Sequence, residues 1–148
     1  MRVVIQRVKE ASCVVENQVV GKIDNGLLLF VGVTHDDNSE DVDYLVRKIV
    51  NMRIFEDENQ KMNLSLKDKG YDILSISQFT LFAETRHGNR PGFSNAADPK
   101  KANELYEEFN EKLRLNDVKV ETGVFGAMME IKLINDGPVT ILIDSKNK

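Results

Sequence analysis

The first 33 residues constrain the fold more than any other part of the chain. Four segments, residues 2–9, 11–16, 19–23 and 27–33, either alternate apolar with polar side chains or form short apolar runs. Gly, Asn and Asp separate them, and these residues are typical of the turns between consecutive strands. The sequence therefore predicts that the first quarter of the chain is a series of adjacent β-strands.

Two helices are predicted from apolar side chains at helical spacing. The first begins after Asn38 or Ser39, carries acidic residues in its first turn, and has an apolar stripe formed by Val42, Leu45, Val46, Ile49 and Val50. The second begins after Asp98 as cap, with Pro99 at its first position, and has an apolar stripe formed by Ala102, Leu105, Tyr106, Phe109 and Leu113.

The remaining segments complete a mixed α/β pattern dominated by sheet. The segment "EDENQKMNLS" has hairpin character, and "YDILSISQFTLFA" is typical of a buried strand that continues into a less regular turn. Three further strands are predicted at residues 119–124, 128–134 and 139–143. We expect a single domain, residues 1–148, in which two mixed sheets form a sandwich or barrel-like core covered by the two amphipathic helices.

Composition and charge exclude several classes of protein. The chain is 41% hydrophobic and 30% charged, and it has no apolar run near the roughly 20 residues of a membrane span. Its single cysteine, Cys13, and two histidines show no zinc-site spacing, so we expect no metal and no cofactor. The formal charge of −4 argues against coating long stretches of nucleic acid, but it permits a small footprint on a nucleic acid end. The N-terminal segment reads as a strand, which favours a cytoplasmic protein.

Two segments combine polar side chains with turn residues inside β-forming surroundings. In "SISQFTLFAETRHGNRPGFS", Ser77, Gln78 and Thr80 interrupt an apolar strand, where buried polar groups must be hydrogen-bonded or used. In "NDGPVT", Gly137 and Pro138 separate two runs of β-formers. A nucleophilic Thr80 would need an oriented base, and neither histidine stands in a context that supplies one. Two functions stay open on these residues: a small-ester hydrolase with Thr80 as nucleophile, and a dimeric module that binds an adenosine-like end without turnover.

The chain resembles the D-aminoacyl-tRNA deacylases, also called the D-tyrosyl-tRNA deacylase family. The resemblance covers essentially all 148 residues and is carried by "IQRV", "RIFEDENQKMN", "SQFTL", "RPGFS" and "NDGPVT", in that order. Of these motifs, "SQFTL" together with "NDGPVT" is the specific combination. The family removes D-amino acids from mischarged tRNA, so this resemblance implies an editing hydrolase that binds the aminoacyl 3′ end of tRNA.

The resemblance also implies how D- and L-amino acids are told apart. Members of the family are homodimers in which a Gly-Pro pair with a cis peptide bond, matched here by Gly137 and Pro138, enters the partner's active site. Glycine lets the main chain approach the ligand closely, and Pro is the residue whose peptide bond most readily becomes cis. A site that works by excluding an L side chain accepts glycine, which implies glycyl-tRNA as a second substrate. The 2′-hydroxyl of the terminal adenosine is expected to assist the hydrolysis.

The remaining roles follow residue by residue from the matched motifs. The N–H groups of Phe79 and Thr80 are expected to form the oxyanion site, with Gln78 and Ser77 lining or bracing the pocket. Phe79 is also expected to contact the adenosine end.

Four further positions complete the predicted site. Met129 matches a pocket position, and Arg7 matches the arginine that holds the Gly-Pro carbonyl groups inward with its guanidinium fork. Arg86 and Arg90, in the basic loop, are expected to contact RNA phosphates.

Overall fold

Eight strands, three α-helices and one short 3-10 turn make up the chain. The computed structural model describes residues 1–148. The elements are β1 (Arg2–Val15), β2 (Gln18–Ile23), β3 (Gly26–Gly32), α1 (Ser39–Asn51), β4 (Arg53–Glu56), β5 (Met62–Ser65), α2 (Leu66–Lys69), β6 (Asp72–Ser77), the 3-10 turn (Phe79–Phe82), α3 (Pro99–Arg114), β7 (Val120–Thr122) and β8 (Glu130–Asp144).

The long strand β1 organises the main sheet, because it pairs with three other strands. Its first half pairs with β3, its second half with β2, and β8 runs antiparallel along both halves. The sheet continues from β3 to β6 and β7 in parallel register, giving the order β2-β1-β3-β6-β7 with β8 beside β1. Consecutive strands at the start of the chain are therefore confirmed, although residues 2–9 and 11–16 form one strand instead of two.

The sheet curls until its ends nearly meet. A Cβ atom on Gly21 of β2 would lie only 2.6 Å from the carbonyl oxygen of Thr122 in β7, so only glycine permits this approach. The predicted barrel-like core of mixed strands is confirmed. The expected second sheet consists only of the β4–β5 hairpin, which lies in the segment predicted to have hairpin character.

The two long helices begin where the sequence predicts. The Asn38 side chain accepts a hydrogen bond from the Glu40 amide and caps α1, while Asp98 accepts from the Lys101 amide and caps α3. Their predicted apolar stripes are all buried, and they enter the larger core cluster with the inner face of the sheet. A second, smaller cluster around Cys13 fills the other side of the sheet. The four-residue helix α2 is an addition to the two predicted helices.

A bulge in β8 displaces the Gly137–Pro138 pair from the sheet. On either side of it, Gln6 pairs with Thr140 and Val8 pairs with Asn135, so one residue of β1 faces four residues of β8. The segments 128–134 and 139–143, which the sequence predicts as separate strands, thus belong to one strand that pairs with β1 before and after the bulge. The Gly137–Pro138 peptide bond is cis.

A buried ionic cluster joins the ends of β1, β8 and α1. The amino group of Met1 donates to Asp37 Oδ1 at 2.6 Å and to Ser145 Oγ at 2.8 Å. The Ser145 hydroxyl in turn donates to Asp41 Oδ1 at 2.6 Å, and Lys146 Nζ lies 3.1 Å from the same carboxylate. Burial raises the pKa of the Asp41 carboxyl, but hydrogen bonds from Ser145, the Asn38 amide and Lys146 outweigh it and lower the pKa to about 2.

The Asp41 carboxylate is expected to stabilise the fold above pH 4. Its pKa is lower in the folded chain than the value of about 3.9 for an unfolded chain, so its contribution is present above that value and is lost as the pH falls toward 2. We expect Asp41→Asn to lower the free energy of unfolding at pH 7 by about 2 kcal/mol and to reduce its pH dependence between pH 4 and 2.

Urea unfolding at a series of pH values measures this effect. Glu40→Gln is the matched control, because Glu40 is exposed in the same first turn of α1 and its side chain makes no hydrogen bond. Identical pH profiles for the two variants would contradict the role given to Asp41.

Candidate active site

The end of β6 leads directly into the 3-10 turn and fixes its position. Ile73, Leu74 and Ile76 are buried in the sheet, and the Gln78 amide donates to the Val31 carbonyl at 2.8 Å as the last bond to β3. The turn then buries Phe82 and leaves Phe79 and Thr80 exposed.

The first N–H groups of this turn are free to bind a ligand. The first donors of a helical turn have no acceptor within the turn, and no side chain caps this one. The N–H groups of Phe79 and Thr80 are these donors. An oxyanion site requires main-chain donors that are held in place before the reaction, and these two N–H groups have that arrangement.

An apolar cleft of about 530 Å³ opens beside the turn. It lies between the end of β6, the start of α3 and the segment that leads into β8, and nine of its 13 lining residues are hydrophobic. Its predicted members are Ser77, Gln78, Phe79 and Met129. The structure thus brings Met129 together with three consecutive residues that lie about 50 positions earlier in the sequence. An apolar cleft with few polar groups is the common form of a small-ligand site.

The interpretation of Thr80 as a buried polar residue of a strand is wrong. The strand ends at Ser77, and Thr80 lies exposed on the turn, outside the residues that line the cleft. Its hydroxyl accepts a hydrogen bond from Gln78 Nε2 at 2.5 Å. An amide N–H donor cannot remove a proton, so this contact orients the threonine without activating it as a nucleophile.

Neither histidine is hydrogen-bonded to Thr80. His35 Nε2 lies 2.6 Å from the Ser94 carbonyl oxygen and links two loops. His87 is exposed in the loop after the turn and makes no hydrogen bond through its ring. The structure therefore shows no base paired with the threonine hydroxyl.

Phe93 is a site residue that the sequence analysis missed. Its ring packs edge-on against Phe79, with ring centroids 5.2 Å apart, and both rings are more than a third exposed beside the cleft. The motif "RPGFS" contained the signal, but the loop was interpreted from its basic residues alone. Two exposed aromatic rings in contact form a surface on which a flat ligand can stack.

Gly137 and Pro138 lie outside this cleft. Both are exposed on the surface of the bulge, and neither lines the cleft of its own chain. The Asn135 side chain holds the bulge from within, because its Oδ1 accepts from the Val139 amide at 3.1 Å and its Nδ2 donates to Thr140 Oγ1 at 2.9 Å. Asn135 is thus a second residue without an assigned role in the sequence analysis, although it begins the "NDGPVT" motif.

Arg7 supports the bulge through the peptide that precedes Gly137. Its side chain is buried, Nε donates to the Asp136 carbonyl at 3.1 Å, and a terminal nitrogen donates to the Ile54 carbonyl at 2.7 Å. Nε also lies 3.4 Å from the Asp136 carboxylate. Arg7 thus contacts the bulge at the carbonyl group of Asp136, one residue before the Gly-Pro pair, and not at the carbonyl groups of the pair itself, as the resemblance implied.

The two arginines expected at RNA phosphates differ in their surroundings. The Arg86 guanidinium binds the Glu84 carboxylate, with one nitrogen 2.6 Å from Oε2, and these hydrogen bonds lower the pKa of Glu84 to about 2. Arg90 is exposed and makes no ion pair. Backbone hydrogen bonds between Glu84 and Gly92, at 2.7 and 2.9 Å, close the loop that carries both arginines.

The structure contains no group of three or more His, Cys, Asp or Glu side chains arranged to hold a metal ion. None of its helices has the length and apolar character needed to cross a membrane.

Comparison with known proteins shows the family to which the chain belongs. A family model described as D-Tyr-tRNA(Tyr) deacylase matches residues 4–144. The chain belongs to this family.

Close relatives support the assignment over the full length of the chain. It is 58% identical to a D-aminoacyl-tRNA deacylase of Bacillus velezensis, covering 99% of each sequence. It is 57% identical to a D-aminoacyl-tRNA deacylase of Brevibacillus brevis, covering 98% of this chain and 100% of the relative.

Two solved structures share the fold. One, named c-Myc DNA Unwinding Element Binding Protein, superposes with a TM-score of 0.91 at 38% identity, covering 97% of this chain and 98% of the other. The other, described as a probable eukaryotic D-amino acid tRNA deacylase, superposes with a TM-score of 0.82 at 18% identity, covering 96% of this chain and 97% of the other, and it shows the fold alone.

The contacts of Arg7 predict the effect of replacing its guanidinium. A lysine at this position has one ammonium group and cannot keep the fixed fork that reaches both carbonyl groups. We expect Arg7→Lys to lower the free energy of unfolding by roughly 1–3 kcal/mol, because one buried acceptor is left unpaired. Hydrogen exchange of the Val139 amide should also become faster, since this amide belongs to the bulge.

Arg53→Lys provides the matched control, because Arg53 is exposed and lies next to Ile54 in sequence. Equal stability and equal Val139 exchange in the two variants would show that Arg7 does not hold the bulge.

Proposed function

We propose that this protein hydrolyses the ester that joins a D-amino acid to the 3′ end of tRNA, acting in the cytoplasm without a metal or cofactor. The observation that carries the proposal is the apolar cleft beside the turn, where two main-chain N–H groups stand at one edge. The family membership and the names of the relatives supply the substrate class. The products are a free D-amino acid and a tRNA with an unesterified terminal adenosine.

The proposed reaction uses main-chain polarisation and a group of the substrate itself. Water attacks the carbonyl carbon of the ester, and the N–H groups of Phe79 and Thr80 bind the negative charge that develops on the carbonyl oxygen. The 2′-hydroxyl of the terminal adenosine lies next to the ester and assists the attack. The carbon–oxygen bond to the 3′ oxygen then breaks, and that oxygen leaves with a proton.

The surroundings of Thr80 favour this scheme over a protein nucleophile. The threonine hydroxyl contacts the Gln78 amide, which donates a hydrogen bond and cannot accept the proton that a nucleophile must lose. Ser77 and Gln78 line the cleft, while the exposed rings of Phe79 and Phe93, which meet edge to face, form an aromatic surface on which the adenine ring can stack against one face. Arg90, and Arg86 once released from Glu84, are assigned in this proposal to phosphates that follow the terminal nucleotide.

The selection of D-amino acids is assigned to Gly137 and Pro138 of a second copy of the chain. The pair is exposed, lies outside the cleft of its own chain, and is held outward by Arg7 and Asn135. A homodimer would place this pair against the partner's cleft, where main-chain atoms exclude an L side chain. Ile134 and Leu142, also on β8, are 49% and 63% exposed and would be covered in such a dimer.

Exclusion by a wall has a consequence for glycine. Glycine has no side chain to exclude, so the site should accept glycyl-tRNA as it accepts a D-aminoacyl-tRNA. Hydrolysis of matched D-tyrosyl-, L-tyrosyl- and glycyl-tRNA by the purified protein tests the proposal directly. We expect the first and third to be cleaved and the second to be spared. Equal cleavage of both tyrosyl esters would refute the selection, and no cleavage of any ester would refute the activity.

Gly137→Ala tests whether the main chain of the Gly-Pro pair excludes an L side chain. A Cβ at this position would lie 2.9 Å from both Cγ2 and the amide nitrogen of Val139, and the backbone φ of +133° is one that L side chains rarely adopt. The bulge must therefore shift, and we expect D-tyrosyl-tRNA hydrolysis to fall at least tenfold or cleavage of L-tyrosyl-tRNA to appear. Rates on both esters measure the effect.

Gly70→Ala is the control for this substitution. Gly70 also has a positive φ, of +65°, but a Cβ there meets no atom within 4 Å, and it caps helix α2 instead of belonging to the bulge. Thermal unfolding of both variants separates loss of fold from loss of function. A Gly137→Ala protein with wild-type rates and wild-type selectivity would remove this pair from the mechanism.

Two changes separate RNA-assisted hydrolysis from a threonine nucleophile. Thr80→Val keeps the shape and the main-chain N–H but removes the hydroxyl, so we expect most of the activity to remain. A tRNA that ends in 2′-deoxyadenosine should bind with unchanged affinity and turn over at least 100-fold more slowly. Single-turnover rates give both results; a folded but inactive Thr80→Val protein, or full activity on the deoxy substrate, would reverse the assignment.

A further inference from the structure

A basic patch on α1, far from the cleft, has no role in the proposed reaction. Tyr44, Arg47, Lys48 and Asn51 are spaced along one face of the helix, and Lys148 reaches the same place from the end of the chain. Together with Met52 they line a depression of about 580 Å³ in which no acidic residue takes part. We call these six residues the Tyr44 patch.

Three cations of the Tyr44 patch converge on one aromatic ring. The guanidinium carbon of Arg47 lies 5.7 Å from the centroid of the Tyr44 ring, Lys48 Nζ lies 5.8 Å from it, and Lys148 Nζ lies 4.9 Å from it. Cation–π contacts of this kind contribute only about 0.5–1 kcal/mol each at an exposed site. The ring therefore gathers the charges without neutralising them.

None of these three side chains has an acidic partner within ion-pair distance. The contrast is with Lys112 on the neighbouring helix α3, whose ammonium lies 2.6 Å from Asp43 and 3.1 Å from Glu108. The position of Lys48 in the last turn of α1 accounts for one of the three charges, because a lysine there complements the negative end of the helix dipole. It does not explain three like charges around one ring, which repel each other in the absence of an anion.

The Tyr44 patch lies at a definite distance from the cleft. Helices α1 and α3 run side by side in the same direction, since Ser39 contacts Glu108 and Asp43 contacts Lys112. Ala102 of α3 lines the cleft, whereas Leu115, just past the end of α3, lines a depression with Arg47 and Asn51. Thirteen residues of helix at about 1.5 Å each put Ala102 and Leu115 roughly 20 Å apart along the axis of α3.

We infer that the Tyr44 patch binds the phosphate backbone of the RNA whose 3′ end occupies the cleft. The inference rests on the proposed function for the identity of the RNA. A polyanion neutralises the three cations together, and the ring offers a face to a ribose or base. The separation of roughly 20 Å along α3 is shorter than one turn of a nucleic acid duplex, about 34 Å, so one RNA molecule is long enough to reach both sites. Binding would require only a local cluster of cations, as the net charge of −4 demands.

A double variant, Arg47→Ala with Lys48→Ala, tests the inference. Alanine preserves the helix, and the control, Lys61→Ala with Lys119→Ala, removes two exposed charges elsewhere on the surface. The first measurement is the dissociation constant of uncharged tRNA at several KCl concentrations. We expect the patch variant to bind roughly tenfold more weakly at 50 mM salt, and its slope of log K against log[salt] to be shallower by about 1.5. The control should match the wild type.

The second measurement separates RNA binding from an effect on the cleft. With D-tyrosyl-tRNA as substrate, the patch variant should raise KM roughly tenfold at unchanged kcat. With D-tyrosyl-adenosine, which is too short to reach the patch, both constants should equal those of the wild type.

Three outcomes would overturn the inference: wild-type tRNA affinity and salt slope in the patch variant, an equal loss in the control, or an equal loss on D-tyrosyl-adenosine. A wild-type protein that cleaves no ester would refute the proposed function, and the binding of uncharged tRNA would still decide the role of the patch.

Discussion

The guanidinium of Arg7 is the contact on which the arrangement of the molecule depends. It is buried between two backbone carbonyl groups, one from β4 and one from the bulge of β8. Because one residue of β1 faces four of β8 at this point, the ladder alone cannot hold the extra residues. The side chain of Arg7 supplies one hydrogen bond to the bulge, at the Asp136 carbonyl, and the Asn135 side chain supplies two more within it. Arg7 therefore links β4 to the bulge that carries the Gly-Pro pair outside the sheet.

The sequence predicts those parts of the fold that local pattern determines. The caps and apolar stripes of α1 and α3 are confirmed because helix periodicity and capping are properties of neighbouring residues. The split of β8 into two strands was wrong because proline and glycine interrupt a strand locally, while continuity depends on the distant partner β1. The closeness of Gly21 to Thr122, which makes the sheet barrel-like, likewise joins residues that no local pattern relates.

The candidate site divides in a similar way. The motif resemblance identified Ser77, Gln78, Phe79 and Met129, and the fold brings them to one cleft. The polarity of the "SISQFT" segment was misinterpreted because alternation cannot show where a strand becomes a turn, and Thr80 lies on that turn. Phe93 was missed because its contact with Phe79 spans a loop. The binding of Arg86 by Glu84 could not be recognised either, since residues two apart meet only in particular loop conformations.

The proposed placement of the reactive donors on the backbone has a consequence for how such an enzyme diverges. Amide hydrogens belong to every residue except proline, so exchanges of the side chains at 79 and 80 leave the donors intact. The residues that line the cleft can then be substituted and change which amino acids fit, while the catalytic donors are retained. Substitutions at these positions therefore leave catalytic activity in place, whereas substitution of a catalytic side chain abolishes it. The substrate range of such an enzyme can broaden in evolution without an inactive intermediate.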